Sequence, residues 1–536
     1  MTTGQQLRNR GITRRGTLGA GLLLPALGRG ALAQEAPLVR VALATETSSL
    51  DPMFHNVTPN NNAYHHIYDT LVETDAQLRL RPGLAESWKP LGDEGWEFKL
   101  RPNVRFHDGT PFTADDVAFS VKRVGEVPNS PSSFTMYLTG VTRAQVVDPL
   151  TVRLLTNSAA PLVPYNLPFI YVVSRRAAEG KTTEDFNTGT AAIGTGPYRL
   201  REWVRGDRLV LQGNRDYWGG MPACPNLVLR PVANGAARVA ALLSGDVELI
   251  EGVPAADLAR LRGDSRVRLA ATDVVVTVYL HLDGVRDKSP GITSASGAPM
   301  DRNPLKDARV RRALTLAVNR DALTERLLEG QAKPAGQFMR PGMPGNSPNL
   351  PPPPFQPDEA RRLLAEAGYP EGFGITLAAS NDRYPRDSEV AQAIAQMLGR
   401  VGIKTTVELM PSAMLFTRGT RREFSLLMAG WVSASGEASS ALNALLATYD
   451  PDAGRGPSNR GRYSNPAFDT LLAEAGRTIE DGKRNALLAQ AAELGINDGG
   501  VIPLYSLVRT WGVRKGWRYA PRVDDMTLAM GLQPER

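Results

Sequence analysis

The chain has 536 residues, 42% of them hydrophobic and 22% charged, with a net charge of +7 and a single cysteine. Five of the positive charges, Arg8, Arg10, Arg14, Arg15 and Arg29, lie in the first 33 residues, which hold no acid, so the remainder carries only +2; that balance argues for neither a nucleic-acid nor a membrane partner. One cysteine excludes an intrachain disulfide and any cysteine-held iron–sulfur or zinc site within the chain, and Cys224 is expected to be a small buried hydrophobe.

The chain opens with a basic segment ending at Arg14-Arg15, a short apolar run through Leu22, Leu23, Leu24 and Leu27, and Ala31-Leu32-Ala33. That order reads as an export signal over 1–33. A membrane span needs roughly 20 continuous apolar residues, and glycines and Pro25 interrupt this run well before that. The paired arginines point to the twin-arginine route, with the general secretory route as the alternative. No cysteine stands near the cleavage site to carry a lipid. About 500 residues remain, too many for one core at ~100–200 residues per domain, so two or three domains are expected.

A strand is predicted over 39–44, then a loop of small and turn-forming residues over 45–52 and a helix over 60–71. Trp96, Phe98 and Leu100 alternate with Glu97, Lys99 and Arg101, the period of a half-buried strand. Val104 and Phe106 resume the alternation as a second strand, Asp108-Gly109 supplies a tight turn, and Thr113 with Asp116 caps a helix through Val117 and Val121. Strands follow over 151–155, 198–203 and 209–212, with Gly194-Thr-Gly-Pro-Tyr198 as a tight loop whose glycines suggest close approach of a ligand or another segment.

In the second half, Val310, Ala313, Leu314, Ala317 and Val318 mark a helix face expected to run to Gly330. A proline-rich loop occupies 341–354. Helices over 360–367 and 391–398 and strands over 375–378 and 403–409 then alternate, as in an α/β domain. There is no internal repeat.

The stretch from Trp96 to Ser120 closely resembles the signature region of family 5 of the extracytoplasmic solute-binding proteins, which serve peptide, nickel, opine and glutathione ABC importers. Leu84-Ala-Glu-Ser-Trp88, Gly194-Thr-Gly-Pro-Tyr198, Asn214-Arg-Asp-Tyr-Trp-Gly-Gly220, Leu242-Leu-Ser-Gly-Asp-Val247, Leu305-Lys-Asp-Ala-Arg-Val-Arg-Arg-Ala-Leu314 and Tyr463-Ser-Asn-Pro-Ala-Phe-Asp469 are similar to its recurrent blocks, in its order. The resemblance implies an α/β fold of two hinged lobes, of the type II-like periplasmic binding proteins, with an extra subdomain on the first lobe. The implied layout is lobe I over 34–70 and 191–292, the subdomain over 71–190, lobe II over 293–500, and a return to lobe I over 501–536. It further implies a periplasmic receptor, not an enzyme, that works as a monomer, holds no cofactor, and delivers its solute to an inner-membrane ABC permease with ATPase subunits.

The rival class is an exported enzyme, a hydrolase or oxidoreductase. Glu179-Gly-Lys-Thr182 has the tail of a phosphate loop, but Arg175 stands where its first glycine belongs, and Arg199 stands where a dinucleotide fingerprint after Gly194 and Gly196 needs its third. No His-Glu-x-x-His or Gly-x-Ser-x-Gly occurs. A nickel or haem receptor is a further alternative within the family. Adjacent His65 and His66 diverge by about 100° on a helix and cannot share an ion, so no metal site is assigned; His281, alternating with Tyr279, could face the cleft.

By position in the matching blocks, the resemblance places Thr47, Ser48, Ser49 and Thr195 beside the cleft from the first lobe. Asn381, Arg383, Tyr384, Trp431, Ser433 and Glu437 come from the second, where strands run into polar loops. Arg383 could hold a carboxylate in bidentate fashion. Trp431 offers an apolar wall. Peptide-binding relatives carry an aspartate for the peptide amine shortly after the matching tryptophan, and here Ala434 stands at about that point, with Glu437 the nearest acid. Ordinary short peptides are therefore disfavoured, and the segment resembles the branch that includes glutathione binders; opine-like conjugates remain open.

Overall fold

Two long strands, Val267–Leu282 and Val501–Arg514, run antiparallel and organise the main sheet. The computed structural model describes residues 38–535, and the export signal expected over 1–33 lies outside them. Beside the first part of the pair stand Leu249–Ile250, Leu38–Leu43, Asn226–Pro231, Arg208–Gly213 and Tyr198–Val204, in that order. Beside the second part stand Leu426–Val432, then Phe373–Ser380 and Ile403–Met410, all three parallel to one another. Between the two halves the register breaks: Asp273 faces Val508, yet Thr277 faces Ser506. Three residues on one strand, 274–276, thus stand opposite one, Leu507, on the other, an irregular bulge in the ladder.

The second half-sheet is covered on both faces, which explains its unbroken apolar run. Leu426 and Met428 face a core with Ile375, Leu377, Val390 and Ile394, whereas Leu427 and Ala429 face another with Leu442, Leu445, Phe468 and Leu488. Helix Asp387–Gly399 crosses between the parallel strands Phe373–Ser380 and Ile403–Met410, burying Val390, Ala391, Ile394 and Leu398. A separate antiparallel sheet orders Ala85–Pro90, Gly95–Leu100, Thr151–Thr156 and Val141–Asp148. Trp96, Phe98 and Leu100 are buried there as the alternation predicts. Glu97 is buried too, because Arg153 at 2.8 Å and Lys89 at 3.3 Å neutralise it.

Thr113 and Asp116 form the expected capping box, and the helix runs Ala114–Arg123. Three expectations differ. Val104 and Phe106 are buried but form no strand beyond one Arg105–Pro111 bridge, since Asn103 takes a φ of 61° and turns the chain. The helix expected over 60–71 is Thr58–Ile67; its apolar continuation through Tyr68 and Leu71 feeds the strand Val72–Thr74. The helix expected to reach Gly330 ends with Ala308–Ala317, and a π-helical turn follows at Ala322–Leu327. Arg320 lies in the gap and turns inward, donating to the carbonyls of Pro503, Thr315 and Val318. Satisfying a buried guanidinium requires those carbonyls, and the helix breaks to supply them.

Candidate functional site

A cavity of about 1150 Å³ opens between two walls built from distant parts of the chain. One wall comes from the start of helix Thr58–Ile67 with Asn56 and Asn61, from Tyr137, Asn157, Asn166 and Phe169, and from Asp524 and Met526. Tyr137 stacks on Phe169 at 4.4 Å and 8°, and Asn56 donates to its hydroxyl. The facing wall comes from the second half-sheet: Tyr279, Arg383, Tyr384, Phe416, Gly430, Trp431, Ser435, Ser439 and Arg460.

The loop that carries Arg383 and Tyr384 is fixed from behind. It follows strand Phe373–Ser380, and the buried Asp387 carboxylate accepts the Ser380 hydroxyl at 2.7 Å and the backbone N–H groups of Arg383 and Tyr384 at 3.1 and 3.3 Å. Gly430 gives the Tyr384 ring its place: a Cβ there would sit 2.7 Å from the Tyr384 hydroxyl. Burial pushes the Tyr384 phenol up, so it stays a neutral donor and acceptor. Trp431 ends strand Leu426–Val432, its indole N–H 3.4 Å from the Ser440 hydroxyl.

The expected residues do not all meet. Arg383, Tyr384 and Trp431 line the cavity together. Asn381 is exposed at the head of the same loop and outside the lining. Ser433 is buried behind it. Glu437 is also buried, at 0% exposure, and one of its oxygens accepts the backbone N–H and hydroxyl of Ser439. Desolvation raises its pKa. It therefore orients a lining serine and does not itself face the cavity. Ala434 does line it, so no acid stands at the position of the missing aspartate.

The residues expected from the first half are committed elsewhere. Thr47 bonds the Pro59 carbonyl, Ser48 bonds His55 and Asn60, and Ser49 bonds Asn187. Thr195 is buried and donates to Asp69 at 2.9 Å, beside Tyr217 and Trp218, which donate to the same carboxylate. The glycines around Thr195 are required by protein: a Cβ on Gly194 would lie 2.0 Å from the Ile67 carbonyl oxygen, and one on Gly196 2.6 Å from the same residue. His107 clamps this loop, its backbone N–H on the Gly194 carbonyl at 2.8 Å and its ring Nε2 on the Gly196 carbonyl at 3.0 Å. Three of the sequence blocks, around His107, Gly194 and Tyr217, thus lock one another.

His281 is buried at 2% exposure beside Arg460 and outside the cavity lining, while Tyr279 lines it. Burial and the nearby arginine depress the His281 pKa to about 3, so the ring is neutral. His66 is likewise internal, bonded to the Asn62 carbonyl and the Ala529 N–H. Among the described residues no three of His, Cys, Asp and Glu are grouped to hold a metal, and no helix is long and apolar enough to cross a membrane. Cys224 is buried as expected.

Sequence reasoning missed the first wall entirely, together with Arg460 and Asp524. Asp524 is the one acid in the lining, and Arg522 holds it at 2.6 Å. Such a lining, aromatic faces with amides, hydroxyls and two arginines, is that of a binding cavity for a small organic molecule.

The chain belongs to the bacterial extracellular solute-binding proteins, family 5, whose model, described as the family's middle part, matches residues 79–452. A curated relative, the glutathione-binding protein GsiB of Shigella dysenteriae serotype 1, is 28% identical over 507 residues, covering 92% of this chain and 93% of its own length. HbpA2 of Haemophilus parasuis superposes with a TM-score of 0.81 at 24% identity, covering 93% of this chain and all of that one. The periplasmic binding protein DppA of Helicobacter pylori, in complex with the peptide STSA, gives 0.72 at 24% identity, covering 93% and 98%. The fold is thereby that of a two-lobed, mixed α/β binding protein, as the signature stretch led us to expect.

Proposed function

We propose that this protein is the periplasmic receptor of an ABC importer, binding one peptide-like solute with acidic groups, of glutathione or related conjugate type, between its two lobes. The observation that carries this reading is the cavity itself, one wall of which comes from helix Thr58–Ile67, the 137–169 segment, Asp524 and Met526, and the other from the second half-sheet and its loops. A solute touching both walls favours their approach, because only the closed arrangement satisfies both sets of contacts. The register break at 274–276, where the halves join, is the natural hinge. We keep the layout drawn from the sequence, with the subdomain over 71–190 and lobe II over 293–500, but assign 277–282 and 501–506 to the second lobe, because they pair and pack within the second half-sheet. Export of residues 1–33 by the twin-arginine route and action as a monomer that returns its ligand unchanged to a permease complete the reading.

Arg383 and Trp431 supply the second-lobe contacts: a bidentate bond to a carboxylate and an apolar face. Charge-assisted bonds are worth ~1.5–3 kcal/mol, so Arg383→Ala is expected to weaken glutathione binding on the order of ten- to a hundredfold in calorimetric titration. Trp431→Ala should cost about tenfold or more. Arg383 is exposed, so Arg383→Ala should move the apo melting temperature by only a few degrees, whereas Trp431 also packs against the core and its loss should lower it further. Unaltered affinity in both variants would refute the assignment.

A further inference from the structure

Arg460 is the second cation of the cavity, and no acid among the described residues forms an ion pair with it. Its guanidinium lies 5.3 Å over the Phe416 ring, and its Nε is buried with no hydrogen-bond partner among the described residues. The site is shaped for it: a Cβ on Gly419 would lie 3.0 Å from the Arg460 Cδ and 3.2 Å from its Nε. Gly461, next in the chain, is pinned so closely that a Cβ would meet the Leu282 carbonyl at 2.0 Å. The arginine is therefore held in place by packing, between the cavity that it lines and a small internal pocket beside His281 and Gly419. Arg383, on the same wall, engages only the Tyr384 hydroxyl, and the single acid of the lining, Asp524, is already paired with Arg522. Two cations without a counter-charge thus face one cavity. A semi-buried guanidinium without a partner is costly, and a bound anion removes that cost.

We infer that Arg460 is a second acid-binding residue, and that the preferred solute carries two carboxylates, one for Arg383 and one for Arg460. The inference rests on the receptor reading above and adds to it the ionic character of the ligand. A solute lacking the second acid leaves the half-buried Arg460 unsatisfied, so selectivity comes from that residue more than from apolar contact.

The test compares reduced glutathione, which has two carboxylates, with its diethyl ester, which has none, against wild type, Arg460→Gln and Arg460→Lys. Arg460→Gln is expected to weaken glutathione by tenfold or more, to leave the weak binding of the diester within about twofold, and to keep the apo melting temperature. Arg460→Lys should recover part of the loss, because it restores charge without the planar fork. Equal weakening of both probes would assign Arg460 a structural role and overturn the inference. So would undiminished glutathione affinity in Arg460→Gln, while loss in Arg383→Ala would still leave the receptor reading standing. Failure of the wild type to bind glutathione at all would overturn both this inference and the ligand class proposed above.

Discussion

His66 shows how single residues hold the first wall in place. Its Nδ1 lies 2.6 Å from the Asn62 carbonyl and must donate, so its Nε2 is the acceptor for the Ala529 N–H at 3.0 Å. Protonation would put a second donor where an acceptor is needed, and burial drives the pKa down from 6.5 to about 4. The folded protein therefore binds fewer protons than the unfolded chain between those values. Stability is full above pH 6.5 and is lost as pH falls toward 4. His107, also depressed to about 4, acts in the same direction. The melting temperature is expected to decline across this window, and His66→Gln, though less stable at pH 7, should show a shallower decline. A parallel decline in both proteins would remove His66 from the account. Legibility at this scale was uneven. Arg383 and Trp431 sit where strands run into loops, a local signal, whereas Arg460 is one arginine among many, and what singles it out, Phe416 and Gly419, stands some forty residues earlier in the chain.

Among the elements, the Gly194–Tyr198 loop carries the clearest lesson. Two glycines at that spacing correctly signalled close approach, but spacing alone says nothing of what approaches. The answer is the end of helix Thr58–Ile67, which passes close enough for Gly196 to donate to the Ile67 carbonyl at 3.0 Å. Gly194→Ala must push that backbone aside, and overpacking of this kind costs typically ~1–3 kcal/mol. A lowered denaturation midpoint is expected, with ligand affinity of the remaining folded protein little changed; a variant as stable as wild type would contradict the packing described. The strands of the second half-sheet were readable because both faces are apolar, and the capped helix at Thr113 because its chemistry is local. The break after Ala317 was not, since it depends on Pro503, nearly two hundred residues away, accepting from Arg320.

For the molecule as a whole, the recurrent sequence blocks and the cavity are largely separate systems. The signature stretch, the glycine loop and the Tyr217–Trp218 segment stabilise the first half, while no residue of the recurrent blocks lines the cavity. That division lets one scaffold serve different solutes, because cavity residues can change without disturbing the lock. The long strands Val267–Leu282 and Val501–Arg514 link the halves through one ladder, whose register shifts between Asp273 and Thr277 and again between Val278 and Tyr279. The most direct test is native mass spectrometry of the protein purified from the periplasm, beside Arg383→Ala. The account predicts one non-covalent solute of peptide-like mass per wild-type chain, unchanged on incubation and absent from the variant. Equal occupancy of both proteins, or conversion of the solute to a product, would contradict it.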